Sequence, residues 1–330
     1  MATAGSGDRG GGPEGWYADR AVLVTGGAGF IGSHLVERLA AAGARVRVLD
    51  DFSTGHESNL AGVRGRVEVR RASILDDAAL REAVAGCAVV FHEAAMVSAP
   101  LSVEKPLECI RVNVEGTARV LEAARGAGVR RVVFAASAAA YGSPSPERLP
   151  CREDAAPEAW SPYAMSKIAG EQLLSSYSRC FGLSTVSLRY FNIFGERQDP
   201  RSAYAAAISA FAAALEGGRR PTIFGDGRQT RDFTHVANVV DANLLAGASA
   251  APLLGEVINI GTGARVTLLE VLATLAGAMG VKADPVFAPA RAGDVRDSVA
   301  DISRARRVLG YEPRVSLAEG LARLVAWLRR

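Results

Sequence analysis

The chain has 330 residues, 49% of them apolar and 22% charged, enough to bury a large core in one α/β unit or two close lobes. Its 38 basic and 35 acidic residues leave a net charge of +3, a mixed surface that argues against a nucleic-acid partner; Arg64 to Arg71 and Arg304 to Arg307 read as solvated edges. No apolar run approaches the roughly 20 residues that span a membrane, and Cys87, Cys109, Cys151 and Cys180 with His34, His56, His92 and His235 show no metal-ligand spacing, so a cytoplasmic protein with reduced thiols and no metal is expected.

Residues 1–18, rich in Gly, Ala and Ser and lacking the apolar stretch of a signal peptide, are expected to form a disordered tail. From Ala21 onward, short apolar runs at Ala21 to Val24, Val46 to Leu49, Val67 to Val69, Val89 to His92, Arg131 to Ala136 and Thr185 to Arg189 read as strands. Between them lie helical patterns such as Leu35, Val36 and Leu39, or Val120, Leu121 and Ala124. This alternation predicts an α/β fold, a doubly wound parallel sheet of Rossmann type over residues 19–190, with its binding crevice at the carboxyl ends of the strands. After Tyr190 the pattern turns to Gly, Pro and Arg loops around helices at Ala203 to Leu215, Leu268 to Ala278 and Leu317 to Leu328. Residues 191–330 therefore read as a smaller C-terminal α/β lobe, with segments near 231–240 and 257–261 returning to the Rossmann domain and Arg231 to His235 and Val257 to Ile260 as strands that rejoin the main sheet.

Between the first strand and the first helix, Gly26, Gly29 and Gly32 permit a tight turn, close approach of a pyrophosphate and close helix packing. Asp50 closes the second strand, where a carboxylate accepts hydrogen bonds from an adenosine ribose and repels a 2'-phosphate. The loop and Asp50 together predict NAD in preference to NADP. Further on, Tyr163 and Lys167 stand one helical turn apart, on one face, so that the ammonium can favour the phenolate of a phenol that is otherwise a poor base near neutral pH. That spacing is weak by itself; the nucleotide loop upstream gives it meaning.

With Phe91 to Ala95 (FHEAA), Asn113 to Thr117 (NVEGT), Ser137 in FAASAAAYG, Arg189 to Gly195 (RYFNIFG), Arg231 to Val236 (RDFTHV) and Arg291 to Asp301, all in order, the chain resembles the extended short-chain dehydrogenase/reductase family, and more narrowly its UDP-sugar 4-epimerases. The resemblance implies Tyr163 as catalytic acid/base, Lys167 as its activator and ribose contact, and Ser137 as a hydroxyl on the sugar oxygen. Around NAD it implies Gly26, Gly29, Phe30, Ile31, Gly32, Asp50, Ser73, Ile74, Ala94 and Asn113. Around a UDP-sugar it implies Ser98, Asn192, Gln198, Thr222, Phe224, Arg231, Arg291, Asp294 and Ser298. Arg231 and Arg291 would pair with the phosphates, a task suited to guanidinium. The implied reaction oxidises C4 to a 4-keto sugar and returns the hydrogen to the opposite face. Helices like those of Pro106 to Ala124 and Tyr163 to Cys180 form a homodimer in this family.

Departures and alternatives follow from the same residues. Ser73 replaces the Asp that commonly touches adenine, Val97 stands where relatives carry glycine or a polar residue, and Ser298 is small enough to admit a bulky 2-substituent. Ala138 and Ala139 lack the acids that a 4,6-dehydratase needs, and a UDP-glucuronate decarboxylase likewise expects an acid here. A UDP-glucuronate 4-epimerase, with Arg197 and Arg201 supplying charge, stays open, as do a one-way keto-sugar reductase and a non-catalytic NAD-binding regulator.

Overall fold

Seven strands form one parallel sheet in the computed structural model, which describes residues 12–199, 207–290 and 295–330. They are β1 (Ala21–Thr25), β2 (Arg45–Asp50), β3 (Glu68–Arg71), β4 (Val89–His92), β5 (Arg131–Ser137), β6 (Ser184–Tyr190) and β7 (Leu254–Ile260), in the spatial order β3-β2-β1-β4-β5-β6-β7. The chain winds outward from β1 through β2 to β3, then crosses back to β4. The order therefore reverses between β1 and β4, and a crevice opens there at the strand ends.

The main helices are α1 (Phe30–Ala41), α2 (Asp77–Val84), α3 (Gly116–Gly126), α4 (Pro162–Phe181), α5 (Ala207–Glu216), α6 (Val236–Ala248), α7 (Leu268–Met279) and α8 (Leu317–Leu328). Strand alternation sorts the apolar side chains between two layers. Val22 and Val24 of β1 pack with Leu35 of α1 and Val239 of α6 on one face. Leu23 packs with Leu80 of α2, Leu121 of α3 and Leu174 of α4 on the other. Both faces are covered, which is why the inner strands read as continuous apolar runs.

The second lobe has its own core, with Phe211 of α5, Ile223, Leu272 of α7 and Leu324 of α8 among its buried members. Local signals set its helices: Thr267 and Glu270 make a reciprocal capping box at the start of α7, and Gly280, with φ of 72°, ends it. The start of the first helix expected here, Ala203, lies outside the described residues.

Two expectations change. The predicted return at 231–240 divides: Thr230–Arg231 pairs antiparallel with Val266–Thr267, and Thr234–His235 pairs parallel with Ile193–Phe194, so neither joins the main sheet. Asp232 between them is fully buried, and its carboxylate accepts the Thr262, Gly263 and Ala300 N–H groups and the Thr262 hydroxyl, which breaks the run. Only α6, from Val236, and β7 return. The last residues of the tail expected over 1–18 are ordered: Glu14–Tyr17 forms a helical turn, Tyr17 is buried, and its hydroxyl donates to Leu244 O at 2.7 Å. Aromatic packing against Phe91 outweighs the low-complexity sequence before it.

Candidate active site

The turn after β1 is shaped by close backbone approach. Gly26 has φ of +69°, and a Cβ there would fall 2.6 Å from Ala94 N, at the end of β4. A Cβ on Gly32 would collide with Gly26 O, so α1 can start only with these residues bare. Gly29 precedes α1 and no side chain caps it, which leaves the first N–H groups of the helix open to an anion. Asp50 ends β2, one oxygen accepting from Ala28 N and the other from Phe52 N, each at 2.8 Å. Burial raises its carboxyl and these N–H groups lower it. A bare-backbone cradle, an uncapped helix terminus and a carboxylate at the next strand end fit a dinucleotide diphosphate and its ribose.

Across the crevice, α4 starts where Ser161 Oγ accepts from Ala164 N and Pro162 takes the first helical position. Gly170 lets this helix lie close to β5, since a Cβ would come within 2.5 Å of the Phe134 ring. One turn earlier, Lys167 therefore reaches Ala135 O, donating at 2.7 Å, with its ammonium 5.9 Å from the Tyr163 ring centre. A buried bidentate pair, Arg189 of β6 to Glu171 at 2.7 Å for both bonds, pins the helix in register. Tyr163 N also donates to Ser102 Oγ at 3.0 Å.

Burial pushes the Tyr163 phenol up, and the Ser137 hydroxyl at the end of β5 lowers it. Lys167 is pulled down to about 8 by burial, opposed first by Glu93. His92 is held near 3 by burial, so it stays neutral and bridges Thr25 Oγ1 and Thr117 Oγ1 without entering the chemistry.

The crevice encloses about 660 Å³ and is lined by Gly26, Gly29, Phe30, Ile31, Gly32, Asp50, Ser73, Ile74 and Ala94 on the nucleotide side, and by Ser137, Tyr163, Lys167, Asn192 and Gln198 on the other. A second cavity of about 280 Å³ shares Asn192 and Ile193 with it and is lined by Thr222, Phe224 and Arg231. The two adjoin at Asn192 and Ile193, one at the strand ends and the other in the C-terminal lobe. Arg231 is braced by its own bonds to Thr230 O and Arg296 O.

A model of the NAD dependent epimerase/dehydratase family matches residues 22–261. The chain belongs to that family. It is 43% identical over 311 residues to a UDP-glucose 4-epimerase of Mycolicibacterium smegmatis, covering 93% of this chain and 98% of the relative. Among solved structures it is similar to a UDP-N-acetylglucosamine 4-epimerase of Methanobrevibacter ruminantium in complex with UDP-N-acetylmuramic acid (TM-score 0.90, 34% identity, 94% and 99% of the two chains). It is similar also to a UDP-glucose 4-epimerase of Thermus thermophilus in complex with NAD (TM-score 0.85, 38% identity, 94% and 99%). NAD is the cofactor of this NAD dependent epimerase/dehydratase family member.

Within this family member, three expected contacts are placed otherwise. Asn113 is buried in a π-helical stretch, and its amide is engaged by Met96 N, Met96 O and Ser166 Oγ, so it holds the Met96 loop to α4 instead of facing the crevice. Ser98 caps the helix that follows it, accepting from Leu101 N, and lines neither cavity. Ser298 is half-buried, donates its N–H to Thr230 O and also lines neither. Arg291, Asp294 and Arg201 lie outside the described residues. Arg197 points away from the crevice, to Ser33 Oγ and Glu37 of α1.

Sequence reasoning assigned no role to Glu93, which lines the crevice and accepts from the Tyr190 hydroxyl at 2.8 Å. Its signal was available: a carboxylate directly after the fully buried run of β4. Burial raises it to about 7, against the Tyr190 hydrogen bond and the Lys167 charge.

Proposed function

We propose that this NAD-dependent UDP-sugar 4-epimerase acts on neutral hexoses, of the UDP-glucose/UDP-galactose or N-acetylhexosamine type. The supporting observation is the charge of the crevice. Among the described residues lining it, Lys167 is the one cation, while Asp50, Asp51, Glu93 and Glu108 are acidic. A hexuronate would bring a further carboxylate to this wall, where no guanidinium stands among the described lining residues, and Arg197 is turned toward Glu37. Ala138 and Ala139 after Ser137 offer neither a hydroxyl for a uronate nor an acid for elimination.

In this reading residues 19–190 hold the cofactor and most of 191–330 holds the UDP. Arg231 takes a phosphate, Phe224 and Thr222 border the uridine, and Asn192, shared by both cavities, touches the diphosphate. Ser137 donates to or accepts from the sugar O4 and holds Tyr163 beside it. Tyr163, as phenolate, takes the O4 proton and later returns it, while the Lys167 ammonium, 5.9 Å from its ring centre, supports the phenolate. Bound NAD supplies the oxidant for C4 and the positive ring charge that further favours the phenolate, and it ends as it began. Anchoring the nucleotide on the C-terminal lobe leaves the hexose free to present either face of C4.

The proposal includes a cytoplasmic homodimer. It is supported by the free thiols and by apolar side chains left exposed at Leu107 and Ile110, ahead of α3, and at Phe181 at the end of α4. The test is a panel of UDP-glucose, UDP-galactose, their N-acetyl forms and UDP-glucuronate, with both C4 isomers quantified and no cofactor added. Turnover of the neutral sugars with little on UDP-glucuronate is expected. Preferred turnover of UDP-glucuronate overturns the charge argument, and strict dependence on added NADH supports a reductase.

A further inference from the structure

Lys167 is buried at 3% exposure, yet its ammonium makes no salt bridge among the described residues; its bond is to the neutral Ala135 carbonyl. Burial disfavours the charged form of a lysine so placed, and an opposite charge acting through the crevice counters that. We propose that Glu93 is this counter-charge: a positioning residue that, through Lys167, keeps the acid/base Tyr163 poised.

Glu93 N donates to Thr25 O, which fixes its backbone at the end of β4 beside the glycine turn. The side chain is oriented from behind by a chain of donors, Asn243 Nδ2 to Tyr190 Oη at 2.8 Å and Tyr190 Oη to Glu93 Oε1 at 2.8 Å. The groups acting on it come from three elements: Lys167 of α4, Tyr190 of β6, and Asn243 of α6 through Tyr190. His92 on its own strand is turned to Thr25 and Thr117 and stays neutral. The Arg189 guanidinium, next to Tyr190, is taken by Glu171 on the far face. His92 pairs with Phe134, so Glu93 follows beside Ala135, whose carbonyl holds the Lys167 ammonium, and both side chains line the crevice. Cys109 and Glu171 also act on Lys167, but less than Glu93, and Glu171 is bound bidentate to Arg189. Burial disfavours the charged form of both Glu93 and Lys167.

The sign follows. An ionised Glu93 extends the protonated range of Lys167 to higher pH, so deleting that charge makes Lys167 release its proton earlier as pH rises. Lysines are few enough for a direct reading: Lys105, Lys167 and Lys282 are the chain's full set. In NAD-loaded protein carrying 13C-labelled lysine, the side-chain carbon shifts are titrated for wild type, Glu93→Gln and Glu93→Asp. Glu93→Gln should lower the Lys167 midpoint by about one pH unit, leave Lys105 and Lys282 unmoved, and bring the alkaline fall of kcat down by the same interval. Glu93→Asp should restore most of the shift.

An unmoved Lys167 in folded Glu93→Gln overturns the proposal, and so does an equal shift in Glu93→Asp, which would mark a packing effect. Should Glu93→Gln not fold, Tyr190→Phe keeps the carboxylate but removes its donor, and a smaller shift in the same direction is expected; no shift overturns the proposal. The proposal rests on Tyr163 and Lys167 as the working pair, yet the titration reads charge coupling without turnover. A failed titration thus leaves the epimerase reading standing, and a failed substrate panel leaves the coupling standing.

Discussion

The side of the crevice at the glycine turn is made of backbone, and the side toward the C-terminal lobe of side chains. Around Gly26, Gly29 and Gly32 the contacts a cofactor needs are bare turns and helix N–H groups, held by strands buried on both faces. Around Thr222, Phe224 and Arg231 they come from pairs of strands two or three residues long, braced by bonds such as Arg231 to Arg296 O. A backbone cradle is intolerant, since any added atom meets main chain; a side-chain site is graded, because one contact can be lost while the others stay. On the proposed function, the rigid half would hold the cofactor and the adjustable one the exchanged nucleotide.

The largest break of this comparison is Gly26→Ala. The methyl group would meet Ala94 N and Cα at 2.6 and 2.7 Å in a residue held at positive φ. Purified Gly26→Ala should carry almost no NAD, measured by the absorbance of cofactor released on denaturation, with activity falling in step. Full occupancy in that variant would show that the cradle is not the rigid element described. Arg231→Ala probes the other half and should act more mildly. Losing a charged hydrogen bond of about 1.5–3 kcal/mol should raise KM for the UDP-sugar about 10- to 100-fold, with NAD content unchanged. A loss of NAD in Arg231→Ala would contradict the division into two halves.

The same contrast explains what the sequence made legible. The parallel sheet, Asp50 at the end of β2, and the glycine turn are local signals, each readable within a few residues because strand, turn and helix follow directly in the chain. Tyr163 and Lys167 were readable from helical spacing, although the structure shows the ammonium bonded to Ala135 O and the phenol nearer in influence to Ser137. The C-terminal lobe was harder because its strands are too short for a period to show. A buried Asp232, fixed by residues 30 to 68 positions away, decides where they end. Asn113 and Ser98 match family positions, but Asn113 is engaged by Met96 and Ser166, distant in sequence, and Ser98 caps the helix after it, which spacing alone does not reveal. Glu93 was missed because its partners come from β6 and α4, brought together only by the sheet order.

The proposed reaction oxidises and restores C4 within one crevice, with Tyr163 handling the proton and the cofactor the hydrogen. It is tested most directly with the preferred UDP-hexose carrying deuterium at C4, incubated in ordinary water with no added cofactor, and the C4 position of both isomers read by NMR. Inverted product that keeps its deuterium at C4, formed more slowly than from unlabelled sugar, is expected. Loss of the label to solvent, or inversion with no slowing at any step and no dependence on bound NAD, would contradict it.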